Sequence, residues 1–404
     1  MSDIESTSTS QTKQKPYALI IAFALGVALA AIVFAAWSKA HGAAQPVDTP
    51  ASSQEQETAA NQEPAAKPDG SLDIAATFPS WDPDSASLAE LVTFVQDVTD
   101  PASPNYREPE ERIATFDMDG TLICEKAPIY IDYMMLLHRV LDDPNHKAAP
   151  DVVELCENIR EYALRGEKNS EFSPGKHTAI AHEFAGMTPE EFRAYVADFL
   201  ATEPVIGFDG MTYGQSFYKP MLEVLDYLRA NDFDVWMVSA CEREVVRAAM
   251  APFGIAPDHV IATDVAYATT NQGDAVIDDY TMEQDEQVIL SEPLDEVECG
   301  KNGKVLAIAR EIGRRPLLAF GNSSGDYAML NYAEVSGGMG LLVVADDTER
   351  EYGDAEKSAE QYELVGKESW TAFSMADDWA TIYGEGVVKT ELPGLAEEEL
   401  AEAA

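Results

Sequence analysis

Between residues 80 and 385, the chain alternates short apolar runs with longer amphipathic segments. The apolar runs predict strands, which are Ile113–Phe116, Phe233–Ser239, His259–Asp264 and Pro316–Gly321. The amphipathic segments predict helices, which are Pro220–Asp232, Glu242–Ala251 and Val305–Ile312. Strands that alternate with helices are typical of an α/β fold in which helices cover both faces of a parallel sheet. In such sheets, functional groups gather at the carboxyl ends of the strands.

A different pattern occupies the first 79 residues. Residues 17–37, from Tyr17 to Trp37, carry no charge. At about 1.5 Å per residue, a helix of this length spans the ~30 Å hydrocarbon core of a bilayer, so the segment predicts a transmembrane helix. A cleaved signal segment is the alternative, although its apolar core is usually shorter and Ala40–Gly42 makes a poor cleavage site.

The residues around this segment complete the predicted domain organisation. Lys13 and Lys15 precede it and Lys39 follows it, which favours a cytoplasmic tail at residues 1–16 and an exported body. Residues 38–79 contain hardly any large apolar residue and predict a disordered linker. Residues 386–404 predict an acidic surface tail. We therefore expect a membrane-anchored protein with an extracytoplasmic body, or a secreted protein if the segment is cleaved.

The composition limits the possible functions. The 404 residues are 46% hydrophobic, which is enough for a large core. With 27 basic and 72 acidic side chains, the formal charge is −45. This charge argues against nucleic acid as a partner, because phosphate backbones are bound by cationic surfaces. A phosphate-binding enzyme stays compatible, since its site needs only a local positive charge. The oligomeric state is not indicated.

The four cysteines are Cys124, Cys156, Cys241 and Cys299. They contain no CxxC pair, which argues against structural zinc. Export would allow disulfides, but we expect buried free thiols. Cys124 and Cys241 both lie a few residues beyond predicted site elements, which leaves open that they are neighbours in space.

Polar residues follow three of the predicted strands. Asp117 and Asp119 follow the first, Ser239 ends the second, and the sequence GNSSGD, which contains Asn322 and Asp326, follows the third. Lys304 lies near the start of the helix before that third strand. Each residue alone has a structural explanation as a turn, a helix cap or a surface charge. Together they supply a nucleophile, an acid, a hydroxyl, a cation and metal ligands.

These motifs resemble, in order, those of the haloacid dehalogenase (HAD) superfamily, and within it a phosphoserine-phosphatase-like branch. The resemblance covers about three quarters of the chain and rests on FDMDGTLICEKAP, Ser239, Lys304 in GKNGKV, GNSSGD and the lead-in Phe78–Trp81. It implies a Rossmann-like HAD core with a parallel sheet, formed by residues 80–126 and 217–385. It also implies a helical cap inserted at residues 127–216.

The resemblance implies a Mg²⁺-dependent phosphatase that hydrolyses a small-molecule phosphate monoester. Asp117 would attack phosphorus to form an aspartyl-phosphate, and Asp119 would protonate the leaving alcohol and later activate water. Ser239 and Lys304 would bind the phosphoryl group, with Lys301 as the alternative lysine.

The implied magnesium ligands are the Asp117 carboxylate, the backbone carbonyl of Asp119 and a side chain from GNSSGD. Many relatives have aspartate where this chain has Asn322. Because an amide oxygen brings no charge, we expect Asp326 to contribute more to holding the metal.

The predicted cap contains the apolar helical runs 128–141 and 152–164 and a capping box at Thr188–Glu191. Caps exclude water and select substrates. Candidate substrate contacts at or within the cap are Glu125, Lys126, Arg139 and Arg165. Three histidines of the cap lack metal-ligand spacing, so no metal is assigned to them; they are His138, His177 and His182.

Other functions are weighed against the phosphatase. The dehalogenase branch lacks the second carboxylate, so Asp119 argues against it. P-type pumps carry DKTGT and many membrane spans, whereas this chain has one candidate span. The remaining alternative is a catalytically silent HAD-like cell-envelope binding protein, which the asparagine at position 322 alone would suggest.

Overall fold

The structure is a computed structural model that describes residues 64–67, 71–126, 128–165, 167, 170–292, 299–335 and 337–394. These residues all belong to the unit that begins at Thr58. The predicted cytoplasmic tail, the segment at residues 17–37 and most of the predicted linker lie outside them. Within the described residues, no helix combines the length and the apolar character needed to cross a membrane.

The strands and helices follow one another along the described chain. The strands are β1 (Ile113–Phe116), β2 (Phe208–Asp209), β3 (Asp234–Glu242), β4 (Val260–Thr263), β5 (Ala266–Thr269), β6 (Val288–Ser291), β7 (Leu318–Gly321), β8 (Met339–Val344), β9 (Thr371–Ser374) and β10 (Val388–Lys389). The α-helices are α1 (Ile74–Thr77), α2 (Ala86–Thr99), α3 (Ile131–Leu137), α4 (Pro150–Leu164), α5 (Ser173–Glu183), α6 (Pro189–Thr202), α7 (Lys219–Ala230), α8 (Arg243–Met250), α9 (Asn302–Glu311), α10 (Tyr327–Glu334) and α11 (Ala355–Glu368).

The predicted parallel sheet is confirmed. Among the described residues, six strands form it in the order β4-β3-β1-β7-β8-β9, and every neighbouring pair is parallel. The central strand β1 places Phe116 beside Met237 of β3 and Phe320 of β7. The ends of these three strands therefore meet at one edge of the sheet, where residues that follow them can form a single site.

Both faces of the sheet are buried. Alternate residues of a strand point to opposite faces, and in β7 Phe320 packs in one apolar cluster while Ala319 packs in another. The first cluster includes residues of α2 and α7, and the second includes residues of α9 and α10. Burial on both faces explains why these strands read as continuous apolar runs in the sequence.

Helices α3 to α6 lie between β1 and β3 in the chain, in the segment for which the resemblance implies a cap, and we refer to them as the cap. The capping box is present at the start of α6: the Thr188 hydroxyl accepts from the N–H of Glu191 at 3.1 Å, and the Glu191 carboxylate accepts from the N–H of Thr188 at 2.9 Å. These reciprocal bonds satisfy two backbone donors that a helix start leaves without partners.

A second insertion, which the sequence did not predict, lies between β4 and α9. Strands β5 and β6 form an antiparallel hairpin there. The hairpin is bonded to the loop between α5 and α6, because the N–H of Gly186 donates to the carbonyl of Leu290 at 2.9 Å and the N–H of Leu290 donates to the carbonyl of Met187 at 2.8 Å. The cap is thus held by the core insertion as well as by its own two connections.

The folded body extends beyond the predicted boundaries at both ends. Phe78 and Trp81 are buried, and the Trp81 indole N–H donates to the carbonyl of Pro220 at 2.9 Å. The predicted linker at residues 38–79 therefore overlaps the core at its end. The predicted acidic tail at 386–404 includes β10, which pairs with β2, while residues 395–404 lie outside the described chain.

Candidate active site

Asp117 follows β1 directly and begins a tight turn. Its N–H donates to the carbonyl of Phe320 at 2.9 Å, and its Oδ2 accepts from the Thr121 hydroxyl at 3.3 Å. Gly120 has a φ of 79°, and a Cβ there would lie 1.8 Å from Nδ2 of Asn322. Only glycine permits this backbone conformation together with so close an approach of the two loops.

Lys304 lies in the first turn of α9 and is buried. Its Nζ is 2.6 Å from Asp117 Oδ1 and 2.6 Å from Asp326 Oδ1. Burial alone lowers the pKa of the ammonium, but the charges of the two aspartates outweigh it, and the pKa lies above its usual value. Lys304 is therefore a permanent cation beside Asp117. The alternative lysine, Lys301, has an exposed side chain and does not line the cavity.

Asp326 organises the loop GNSSGD. Its Oδ2 accepts from the backbone N–H groups of Asn322 and Ser323, each at 3.0 Å, while its Oδ1 accepts from Lys304. Both carboxylate oxygens thus have donors inside the protein. The structure gives Asp326 the task of orienting this loop and the lysine.

Asn322 is held by a residue that we expected to contact substrate. Its side-chain Nδ2 donates to Oε2 of Glu125 at 2.8 Å, and its backbone carbonyl accepts from Nε2 of Gln361 at 2.6 Å. Glu125 also accepts from the Tyr130 hydroxyl at 3.1 Å and lies 3.7 Å from Nζ of Lys357. Because the amide nitrogen is bonded to Glu125, the amide oxygen is the atom of Asn322 that a cation could use.

Ser239 lies in β3 and is buried at the edge of the site. The register between β3 and β4 shifts between Val238 and Glu242, which is typical of a bulge that redirects side chains. The Ser239 hydroxyl oxygen accepts from the N–H of Cys241 at 3.1 Å, so its own hydrogen can be donated to a ligand. Glu242, and not Ser239, caps the following helix α8.

Asp119 is the second carboxylate of the site, and its Oδ1 has no hydrogen-bond partner among the described residues. Burial, followed by the charges of Asp132, Asp117 and Glu125, raises the pKa of Asp119 well above its usual value. This environment favours the protonated form of the carboxyl group, which is the form that a general acid needs.

Asp117 lies in a different electrostatic environment. Burial, followed by the charge of Asp326, raises its pKa to about 7, while Lys304 acts in the opposite direction. The two aspartates of the turn are therefore not equivalent: the one bonded to a lysine ionises more readily. This difference matches a nucleophile and an acid.

The cap contributes an ion pair that the sequence analysis missed. Lys176 of α5 places its Nζ 2.6 Å from Oδ2 of Asp132 in α3, and the same Nζ lies 4.4 Å from the centroid of the Tyr133 ring. The one available signal is an aspartate within the apolar run IDYMMLL of α3. No motif marks Lys176, because its role depends on how α5 packs against α3.

These residues enclose a cavity of about 120 Å³ between core and cap. Its lining consists of Asp117, Asp119, Tyr130, Asp132, Tyr133, Lys176, Ser239, Ala240, Cys241, Gly300, Lys304, Asn322, Ser323, Gly325 and Asp326. The predicted catalytic and metal-binding side chains are thus brought together.

Other candidate substrate contacts lie elsewhere. Lys126, like Glu125, lines a second and smaller cavity. Arg139 pairs with Asp143 at 3.0 Å, and Arg165 pairs with Glu161 at 3.0 Å; neither arginine lines the main cavity. Each of these two arginines is thus occupied by a carboxylate within the cap itself.

All four cysteines are buried and unpaired. Cys241 lines the main cavity, whereas Cys124 lies 3.6 Å from Oε1 of Glu351. Burial, reinforced by neighbouring carboxylates, raises the pKa of the Cys241 thiol well above its usual value. Since the thiolate is the nucleophilic form, this cysteine is unsuited to attack a substrate.

The site offers hard oxygen donors of the kind that Mg²⁺ prefers. Asp117 Oδ2 accepts only a distant hydroxyl, and the bond to Glu125 leaves the Asn322 amide oxygen available. In the part of the chain that the structure describes, no three His, Cys, Asp or Glu side chains form a metal-binding group. The donor set therefore fits a cation held by a carboxylate, an amide and a backbone carbonyl.

A family model agrees with this arrangement. The model described as haloacid dehalogenase-like hydrolase matches residues 114–331, a range that contains every motif of the site. A comparison with curated proteins finds no match.

Solved structures with a similar fold share little sequence with this chain. A protein with unknown function from Bordetella pertussis Tohama I is 17% identical with a TM-score of 0.42, covering 65% of this chain and 98% of that chain. A conserved functionally unknown protein from Anaerococcus prevotii DSM 20548 is 14% identical with a TM-score of 0.44, covering 73% and 92%. A phosphoserine phosphohydrolase-like protein from Francisella tularensis subsp. tularensis SCHU S4 is 15% identical with a TM-score of 0.36, covering 65% and 94%. We draw no functional conclusion from these likenesses.

Proposed function

The chain belongs to the haloacid dehalogenase-like hydrolases, and from this membership we propose that it hydrolyses a small-molecule phosphate monoester through an aspartyl-phosphate on Asp117. The observation that carries the proposal is the pair of carboxylates in the turn after β1. Asp117 is bonded to the ammonium of Lys304, and Asp119 is buried with a raised pKa. A dehalogenation does not require the second carboxylate, whereas transfer to and from a phosphoryl group uses both.

Asp117 and Asp119 act in both steps of the proposed reaction, which are phosphoryl transfer to the enzyme and hydrolysis of the aspartyl-phosphate. Asp117 attacks phosphorus as Asp119 gives its proton to the leaving alcohol oxygen, so the P–O bond breaks without releasing an alkoxide. Asp119, now ionised, takes a proton from water, which attacks the aspartyl-phosphate and regenerates Asp117. Splitting the hydrolysis in this way helps because phosphate monoesters react extremely slowly in water.

Lys304 and Ser239 serve the phosphoryl group. The Lys304 ammonium, fixed 2.6 Å from Asp117 Oδ1, neutralises charge where nucleophile and phosphoryl group meet. The Ser239 hydroxyl, which lies within β3 and lines the cavity, can donate to a phosphoryl oxygen. Mg²⁺ held by Asp117, the Asp119 carbonyl and the Asn322 amide would add Lewis-acid neutralisation of the phosphoryl charge.

Hydrolysis of p-nitrophenyl phosphate by the purified full-length chain tests this proposal. We expect activity that requires Mg²⁺ and is removed by a chelator. Asp117→Asn keeps the shape of the side chain but removes the nucleophile, so kcat should fall by about 10³-fold or more. In the wild type, rapid quenching should trap a phosphate on the peptide that contains Asp117.

Asp209→Asn, an exposed carboxylate in β2, is the matched control and should retain wild-type kcat. If the wild type is inactive towards a broad panel of phosphoesters with Mg²⁺ present, the phosphatase proposal is wrong. The alternative of a catalytically silent cell-envelope binding protein would then stand.

A further inference from the structure

The cap side of the cavity has polar groups that hydrolysis itself does not use. Asp132 and Lys176 are both buried, at 3% and 5% exposure, and both line the cavity. Lys176 donates to Oδ2 of Asp132 and lies over the ring of Tyr133. An ion pair buried this deeply, on two different cap helices, is held in one arrangement.

The other oxygen of this aspartate is free. Oδ1 of Asp132 is buried and has no hydrogen-bond partner among the described residues. Buried polar atoms are normally paired, so an unpaired acceptor in the wall of a binding cavity points to a donor on the ligand.

The position of Asp132 assigns that donor to one part of the substrate. Asp117, Ser239 and Lys304 form the core side of the cavity, where the phosphoryl group binds. Asp132, on helix α3 of the cap, lines the same cavity as Asp119, which lies in the turn after β1. Because Asp119 protonates the leaving oxygen, the group that meets Asp132 belongs to the leaving alcohol.

The charge of the site indicates which donor is favoured. Besides the protonated general acid Asp119, its lining contains three carboxylates and two ammonium groups, which are Asp117, Asp132, Asp326, Lys176 and Lys304. A bound divalent cation and a phosphoryl dianion add charges that cancel. The cavity lining then keeps more negative than positive charge. In a buried cavity, this surplus favours binding of a leaving alcohol with a positive group and disfavours one with a carboxylate.

We propose that the substrate is a phosphate monoester whose leaving alcohol carries an ammonium group, and that this group donates to Oδ1 of Asp132. The proposal rests on the phosphatase function proposed above. Lys176 occupies the second oxygen of Asp132 and so turns the first towards the leaving group. Asp132 is thus a specificity-determining residue, and Lys176 positions it.

Two isosteric esters test the proposal directly on the full-length chain. O-phosphoethanolamine and 2-hydroxyethyl phosphate differ only in an ammonium against a hydroxyl group. We expect the wild type to show kcat/KM at least about 10-fold higher for the ammonium ester. O-phosphoserine, which adds a carboxylate, should be a poorer substrate than O-phosphoethanolamine.

Two variants should move this selectivity in opposite directions. Asp132→Asn removes the charge but keeps the acceptor, so the ratio of kcat/KM values should fall towards 1. Lys176→Met removes the cation that balances Asp132, so the ratio should rise above that of the wild type. Asp198→Asn, an exposed aspartate of α6, is the control and should leave the ratio unchanged.

The possible failures are distinguishable. If no ester of the broad phosphoester panel is hydrolysed, the phosphatase function itself fails. If phosphoesters are hydrolysed but the wild-type ratio is near 1, the ammonium proposal is overturned. A wild-type preference that Asp132→Asn and Lys176→Met both leave unchanged overturns the role of Asp132. Opposite shifts in the two variants support the proposal, and neither shift is expected from a general loss of folding.

Discussion

Among the single residues, Glu125 pairs with Asn322 where a substrate contact was expected. Glu125 does not line the main cavity; it accepts from Nδ2 of Asn322 at 2.8 Å. If Asn322 holds Mg²⁺ as proposed, the negative charge that the resemblance places on the ligand itself would here be supplied by the carboxylate of Glu125 behind it. Such an outer carboxylate fixes the orientation of the ligand and raises the electron density on its oxygen.

Glu125→Gln tests this arrangement. The variant removes the charge behind Asn322, so we expect Mg²⁺ affinity to fall by about 10- to 100-fold. Isothermal titration calorimetry of Mg²⁺ with the full-length chain measures this without turnover. Lys126→Gln changes the neighbouring side chain, which does not contact Asn322, and should bind Mg²⁺ like the wild type. Equal affinity of Glu125→Gln and wild type would contradict the role of Glu125.

At this scale, the sequence predicted the core side of the site better than the cap side. Asp117 and Asn322 were predictable because each directly follows a strand end, and strand order brings such ends together. Ser239 lies within β3, two residues beyond Met237, which pairs with the last residue of β1. Asp132 and Lys176 were not predictable, since their meeting depends on the packing of α3 against α5. Glu125 was predicted to contact substrate, but the turn at Gly120 places it beside Asn322 and outside the main cavity.

Among the elements, the junction of β3 and α8 carries an unusual helix cap. Glu242 caps α8 by accepting from the N–H of Val245 at 2.8 Å, yet its other carboxylate oxygen has no partner among the described residues. Burial, only partly offset by the N–H groups of Glu244 and Val245, raises its pKa to about 8. In the folded protein the group therefore holds a proton that an unfolded glutamate releases near pH 4.3.

This shift predicts a pH dependence of stability. Below about pH 4 both states are protonated, and between that pH and pH 8 only the unfolded state loses the proton, so the contribution of Glu242 to stability falls as pH rises. Glu242→Gln keeps an acceptor for the cap and cannot ionise. We expect the variant to be more stable than wild type at pH 8, by about 1 kcal/mol or more, and the difference to vanish near pH 4.

Chemical denaturation at pH 4, 6 and 8 measures the difference. Glu356→Gln, in the exposed first turn of α11, is a control whose stability difference should stay constant with pH. A constant difference for Glu242→Gln would show that the carboxyl group is ionised in the folded protein.

The sequence identified the main elements but not all of them. The strands of the sheet centre were evident because burial on both faces makes them continuous apolar runs. The hairpin of β5 and β6 was missed, because its residues are mostly half-exposed and give no clear apolar run. The polar segment between the two strands made the region read as a loop. Helix ends were displaced by only a few residues, which is the usual uncertainty of a boundary.

For the whole molecule, Phe78 and Trp81, which precede α2, are part of the core. Phe78 packs edge-on against Tyr227 at 5.0 Å between ring centroids, and Trp81 packs against Phe373 at 4.8 Å. The polar composition around residues 60–75 led to a predicted linker that ends at residue 79, so Phe78 was assigned to the linker and Trp81 to the core. The membrane segment predicted at residues 17–37 stays a prediction.

Trp81→Ala measures the contribution of this N-terminal anchor. Removing a buried indole that is also hydrogen-bonded to the Pro220 carbonyl should lower the free energy of unfolding by about 3–5 kcal/mol. Leu306→Ala truncates an apolar side chain that is 62% exposed and should change it by less than about 0.5 kcal/mol. Guanidinium denaturation of the full-length variants gives both values; similar losses in the two variants would mean that the anchor adds nothing.

The hydrogen bonds between the hairpin of β5 and β6 and the cap restrict how the cap can move. The cap is joined to the core by its two connecting segments and, through Leu290, by backbone bonds to Gly186 and Met187. The cap can therefore move relative to the core only if the hairpin moves with it or if these backbone hydrogen bonds break. Under the proposed phosphatase function, substrate entry and the release of alcohol and phosphate would require the hairpin to move. The turnover rate would then depend on residues that do not contact the substrate.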